Sequence, residues 1–220
     1  MHTQAGDEIF SRPVTLAGPL PLCGRAPAAL YVHLPFCARR CPYCDFAVAP
    51  LREGVLLEDR FLAALEAEAR ARVPEGFRPR TVYLGGGTPT ELTGPGLERL
   101  AALLRPWAAH AREVTVEANP RTLLPRKLRA LIDGCGVNRL SLGAQSFTPR
   151  LLERLGRFHR PEDVARAVAI ARDLGVADVS VDLMVAIPGQ TPEELDHDID
   201  AALALAPEHL SVYCLTYEPG

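Results

Sequence analysis

The sequence predicts an α/β fold built on a parallel sheet, and three observations carry that prediction. A chain of 220 residues that is 48% hydrophobic is long and apolar enough for one substantial core. From residue 29 onward, short β-rich apolar runs alternate with segments of helical period, with no hairpin signal between them. The unusual polar and glycine-rich clusters also fall at the carboxyl ends of the strand-like runs, the rim on which parallel α/β sheets build their sites.

The strand-like runs are "LYVHL" (30–34), "TVYLG" (81–85), "EVTVEA" (113–118), "VNRLSLG" (137–143), "VSVDLMV" (179–185) and "HLSVYCL" (209–215). Five helices are expected between them. Those over 56–73, 95–105 and 124–133 rest on apolar periodicity. A fourth opens at Pro161, carries Glu162 and Asp163 at the positive end of its dipole, repeats Val164, Val168 and Leu174 on one face and stops at Gly175. The fifth opens with "TPEE": Thr191 caps, Pro192 begins the helix, Glu194 completes a capping box, and Pro207 ends it. Six strands fit either an open doubly wound sheet or a barrel.

The net charge of -3 gives no electrostatic case for nucleic acid or an anionic membrane. No run approaches the roughly 20 apolar residues of a membrane span. Residues 1–29 are rich in Pro and Gly, and their apolar stretch "VTLAGPLPL" has no basic segment before it, so they read as a disordered leader of a cytoplasmic protein. Cys23, Cys135 and Cys214 are scattered, which argues against a disulfide framework and for buried or inert thiols. Lys127 is the single lysine, so any Schiff-base chemistry would have to rest there.

The remaining cysteines are concentrated. "HLPFCARRCPYCDF" places Cys37, Cys41 and Cys44 on one loop, where three thiolates can converge on one small centre. Structural zinc wants four closed ligands, and only His33 stands close enough in sequence to be the fourth. A [4Fe–4S] cluster needs a ligand on each iron, so three cysteines leave one iron open to an exogenous ligand. "YLGGGTPT" (83–90) reads either as a backbone cradle offering N–H donors or as a tight structural turn. Glu117 and Asp182 lie in otherwise apolar strands, and a buried carboxylate demands a partner: either a ligand hydroxyl or amino group, or Arg139 or Arg157. Gln145 and Ser146 in "GAQSF" follow the fourth strand-like run, and Arg157 and His159 in "LGRFH" read either as site residues or as ordinary solvated or packed side chains. No Gly-x-Ser-x-Gly elbow is present.

Taken together, "YVHLPFCARRCPYCDF", "YLGGGTPT", "EANP", "NRLSLGAQSF", "LGRFHRPEDV", "VDLMVAIPGQT" and "LSVYCLTYEPG" resemble the radical S-adenosylmethionine (SAM) superfamily. The likeness is to its branch of oxygen-independent coproporphyrinogen III oxidases and the related heme chaperones, and it runs from about Leu30 to Gly220. It implies a partial (β/α)6 barrel over 30–220, a [4Fe–4S] cluster on Cys37, Cys41 and Cys44, and SAM on the open iron, cleaved there to a 5′-deoxyadenosyl radical. Tyr31, Gly86 and Glu117 match family positions that contact SAM. Tyr43, Gly87, Thr88, Gln145, Arg157, Asp182 and Thr216 match further SAM-contacting positions, some of which serve a second SAM in the oxidase. The oxidase carries a fourth cysteine two residues beyond the third, where this chain has Phe46; that is the chaperone pattern. The resemblance therefore implies a chaperone that binds heme and passes it to acceptor proteins, with the porphyrin-decarboxylating oxidase as alternative and a zinc-stapled protein without redox chemistry as the remote one. The family continues into a C-terminal domain with an HNxxYW motif, which residues 1–220 do not match, so a fragment lacking that domain is expected.

Overall fold

The computed structural model describes residues 29–50 and 55–216. The expected leader lies, except for Ala29, outside the described residues, as does Cys23. The chain runs β1 (Ala29–Leu34), β2 (Phe36–Cys37), β3 (Ala49–Pro50), α1 (Val55–Arg72), β4 (Thr81–Gly86), a 3-10 turn (Pro89–Glu91), α2 (Gly94–Ala108), β5 (Glu113–Ala118), α3 (Pro125–Cys135), β6 (Arg139–Gln145), α4 (Pro149–Arg154), α5 (Pro161–Asp173), β7 (Asp178–Val185), α6 (Pro192–Ala204) and β8 (His209–Cys214). All six expected strands and all five expected helices are present. The short α4 and the two-residue pair β2–β3 are additions too brief to leave a periodic signal.

The six long strands form one parallel sheet in the order β1-β4-β5-β6-β7-β8. This order decides between the two architectures left open above. A doubly wound sheet reverses its strand order and takes helices on both faces, whereas here each new strand adds beside the last, as in a barrel. No pairing joins β1 to β8, so the barrel is partial.

Alternation along the strands divides the two faces. Val82, Leu84, Val116, Leu140, Leu142 and Val181 are fully buried in the core shared with Leu97 and Leu100 of α2, Leu128 and Leu131 of α3 and Val164 of α5. Each such side chain contributes about 1.5–3 kcal/mol on leaving water. The intervening positions are polar: Tyr83, Glu117, Ser141 and Asp182. Helix entries follow the local chemistry predicted for them. Thr191 Oγ1 accepts from the Glu194 amide at 3.3 Å while the Glu194 carboxylate accepts from the Thr191 amide at 2.9 Å, closing the capping box. Gly175 ends α5 at φ +85°, a conformation that glycine adopts without strain. Among the described residues no helix is long and apolar enough to cross a membrane.

Candidate functional site

A cavity of about 440 Å³ opens at the carboxyl ends of the strands. Cys37 borders it from the end of β2, Cys41, Tyr43 and Cys44 from the loop that follows, and Gly86, Gly87 and Thr88 from the end of β4. Glu117 enters from β5, Gln145 from β6, Arg157 from the turn before α5, Asp182 from β7 and Thr216 from beyond β8. Every position matched to a family cluster or SAM contact lines this one cavity except Tyr31, which stands outside it at 56% exposure, stacked on Tyr83 at 6.1 Å, while Ser146 and His159 are buried behind the wall.

The two strand carboxylates are satisfied without a cation. Glu117 accepts from the Tyr83 hydroxyl at 2.8 Å and from the Gly86 amide at 3.0 Å. Asp182 accepts from the Ser141 hydroxyl at 3.1 Å and the Ser180 hydroxyl at 3.5 Å. The arginines considered as partners go elsewhere: Arg139 pairs with Asp178 at 3.5 Å, and Arg157 donates to the Gly143 carbonyl at 2.8 Å and approaches Cys41 Sγ at 3.9 Å. Burial holds both carboxyls above their ordinary range, and hydrogen bonds offset this only in part. Two carboxyl groups on the cavity wall, each short of a positive charge, suit a cationic or hydroxyl-bearing ligand.

The glycine-rich turn is a joint more than a cradle. Its amides are used inside the protein: Gly86 to Glu117, Gly87 to the Leu34 carbonyl at 2.7 Å, Thr88 to the Phe36 carbonyl at 2.6 Å. A Cβ on Gly87 would meet the Phe36 and Leu34 carbonyl oxygens at 2.6 and 2.8 Å. The three glycines thus let β4 press against the end of β1, which seats the loop that carries Cys37. At β6 the register slips between Gly143 and Gln145, and Gln145 takes φ +67°. A bulge and a left-handed residue at a strand end re-aim a side chain, here into the cavity.

The three thiols share the cavity wall, and burial pushes the Cys37 thiol up to about 11. Burial likewise raises the Tyr43 hydroxyl to about 12. Among the described residues no three His, Cys, Asp or Glu side chains converge tightly enough to chelate a single ion. His33 is no fourth ligand: Nδ1 meets the Tyr31 hydroxyl at 3.2 Å and Nε2 the Ala47 carbonyl at 2.9 Å. Cys135 is buried, whereas Cys214, read as buried or inert, is exposed and lines the cavity. It stands on β8, which no later described element covers.

Sequence reasoning missed Arg39, Asn119, Ser141 and Met184, all on the cavity wall. Period-two alternation would have found Ser141, which pairs in register with Glu117 on one side and Ser180 on the other. Nothing in sequence marks Arg39, whose role depends on how the loop folds back.

A family model described as the Radical SAM superfamily matches residues 31–202. The chain belongs to the radical SAM superfamily. It is 42% identical over 195 residues to the heme chaperone HemW of Bacillus subtilis (strain 168), which covers 86% of this chain and 50% of the relative. It is 40% identical over 200 residues to the heme chaperone HemW of Escherichia coli (strain K12), with 88% and 52% covered. Among solved structures, the radical SAM enzyme coproporphyrinogen III oxidase (HemN) from Escherichia coli superposes with a TM-score of 0.79 at 32% identity, covering 88% of this chain and 45% of that one. The chain thus spans about half the length of the curated relatives it matches.

Membership in the radical SAM superfamily implies a [4Fe–4S] cluster and SAM, and the donor set on the cavity wall fits them. A cubane takes each thiolate on a different iron, so its ligands stand further apart than those of one ion. Arg39 Nε and Arg157 Nε are also buried with no hydrogen-bond partner, and both side chains line the cavity. Orphaned buried donors of this kind suit acceptors that a bound group would bring.

Proposed function

We propose that this chain is the cluster-and-SAM part of a heme chaperone of the HemW type, a protein that binds heme and hands it to acceptor proteins. Residue 46 carries the reading. Relatives at 40–42% identity are named heme chaperones, and the position that is a fourth cysteine in the coproporphyrinogen oxidases is Phe46 here, 66% exposed and on the cavity wall. In this reading residues 30–220 form the radical SAM core. Cys37, Cys41 and Cys44 hold the cluster, which with SAM supplies one-electron chemistry when bound. Glu117 and Asp182 supply the negative charge and acceptors that the amino group and hydroxyls of SAM require, helped by Gln145, Arg157, Thr216 and the backbone at Gly86, Gly87 and Thr88. Tyr43 closes one wall, and Tyr31 supports the site from outside through His33 and Tyr83. Three reduced thiols require a reducing compartment, which the cytoplasm provides.

Anaerobic hemin titration of the cluster-loaded chain, followed at the porphyrin Soret band, tests this. Saturation at a defined stoichiometry supports a heme site within these residues. Featureless adsorption counts against it. Anaerobic conversion of coproporphyrinogen III with SAM and a strong reductant would favour the oxidase instead.

A further inference from the structure

The cysteine loop is docked by a turn on the far side of the cavity mouth. Gly156, between α4 and α5, takes φ +68°, and a Cβ there would meet Arg39 Nη2 and Pro42 Cδ, each at 2.9 Å. Two residues on, the ring of Phe158 lies under the Arg39 guanidinium with its centroid 3.5 Å from Cζ. Between them, Arg157 reaches Cys41 Sγ while it donates to the Gly143 carbonyl at the strand end. The turn itself is fixed. Arg121 donates to the Phe158 carbonyl at 3.3 Å, and the buried His159 ring meets the Ala144 carbonyl at 2.9 Å. Phe158 is 57% exposed, so one face of its ring is free to carry the guanidinium.

We propose that the Gly156–Phe158 turn is a preformed dock for the cysteine loop, with Arg39 and Phe158 as its positioning residues. Arg39 stands between Cys37 and Cys41 in sequence. Stacking its guanidinium on Phe158 therefore fixes the segment that joins two thiols before any cluster arrives, and it lowers the entropy lost on loading. The proposal rests on the reading that Cys37, Cys41 and Cys44 hold a cluster.

The test is a double-mutant cycle with Arg39→Ala, Phe158→Ala and the pair, read as bound iron and sulfide per chain during anaerobic reconstitution and as the electron paramagnetic resonance of the reduced cluster. A cation–π contact at a partly exposed site predicts a two- to fivefold weaker loading, about 0.5–1 kcal/mol, for each single variant. The double variant should be no worse than either single one, because both remove the same contact. Phe158→Tyr should restore loading, and melting temperatures should stay near that of the parent chain. Equal loading by all variants, or losses that add, overturns the dock. If the parent chain takes up no iron and sulfide, the cluster reading itself fails, which is a separate outcome.

Discussion

Asp198 offers the sharpest test of how the site is held. It sits on α6 at 1% exposure, yet its side-chain hydrogen bonds all go to the segment that follows β6. Oδ2 accepts from the Ser146 hydroxyl at 2.7 Å, and Oδ1 accepts from the Phe147 amide at 2.7 Å and the Thr148 hydroxyl at 3.2 Å. This one carboxylate therefore pins the residues directly after Gln145, the left-handed residue that enters the cavity. Asp198→Ala strands the buried Ser146 hydroxyl and Phe147 amide, at about 1–3 kcal/mol each, so about 2–6 kcal/mol is lost. That is a large share of the roughly 5–15 kcal/mol that holds a domain together. Asp198→Asn keeps an acceptor for the Phe147 amide, and the Ser146 hydroxyl can turn to accept, so it should cost about 1 kcal/mol. Urea unfolding reads both values from the midpoint at constant slope. An alanine variant within about 1 kcal/mol of the parent, or an asparagine variant as damaged as alanine, would refute the reasoning.

Three further outcomes are expected. Gly87→Ala should cost about 1–3 kcal/mol by urea unfolding, because its Cβ would press on two backbone carbonyls that cannot swing away; a neutral result would mean that the joint between β1 and β4 is loose. Cys41→Ser should abolish the brown cluster absorbance after reconstitution, whereas Cys214→Ser, on the same cavity wall, should retain full iron; loss in the second variant would reassign the ligands. Burial, and then the Arg157 charge, hold the His159 imidazole down at about 4 against an ordinary 6.5. The unfolded chain thus takes up that proton first as the pH falls, so stability is full above 6.5 and is lost toward 4, by about 2 kcal/mol at pH 5. His159→Gln should flatten that loss, measured by urea unfolding at pH 7 and pH 5.

Much of the site was legible because strand ends gather chemistry by topology. Once the runs containing Glu117, Gln145 and Asp182 are read as parallel strands, their carboxyl ends must share a rim, and the cysteine loop and "YLGGGTPT" follow onto it. Tyr31 shares a sheet face with Tyr83, on which it stacks, but it does not reach the cavity wall, because it lies in β1 before the strand ends at which the cavity opens. Cys214 was read as buried or inert, and it is exposed beside the cavity, because nothing in a strand's sequence says whether a later element covers it.

The sequence by itself determined the alternation of strands and helices, the capping box at Thr191, the apolar faces of the strands and the spacing of three thiols, since each is a local pattern set by side-chain period or backbone preference. Local pattern left an open sheet and a barrel undecided, and the strand order of the tertiary structure gives the partial barrel that the family resemblance implied, because strand order is a matter of which edge each crossover reaches. Tertiary structure alone decided that Glu117 and Asp182 find hydroxyls and an amide in place of arginines, that the Gly87 and Thr88 amides are spent on β1 and β2, and that Arg39 meets Phe158. Apart from Ser180, two residues from Asp182, those partners lie from 31 to 119 residues apart, and no local preference reaches across such distances.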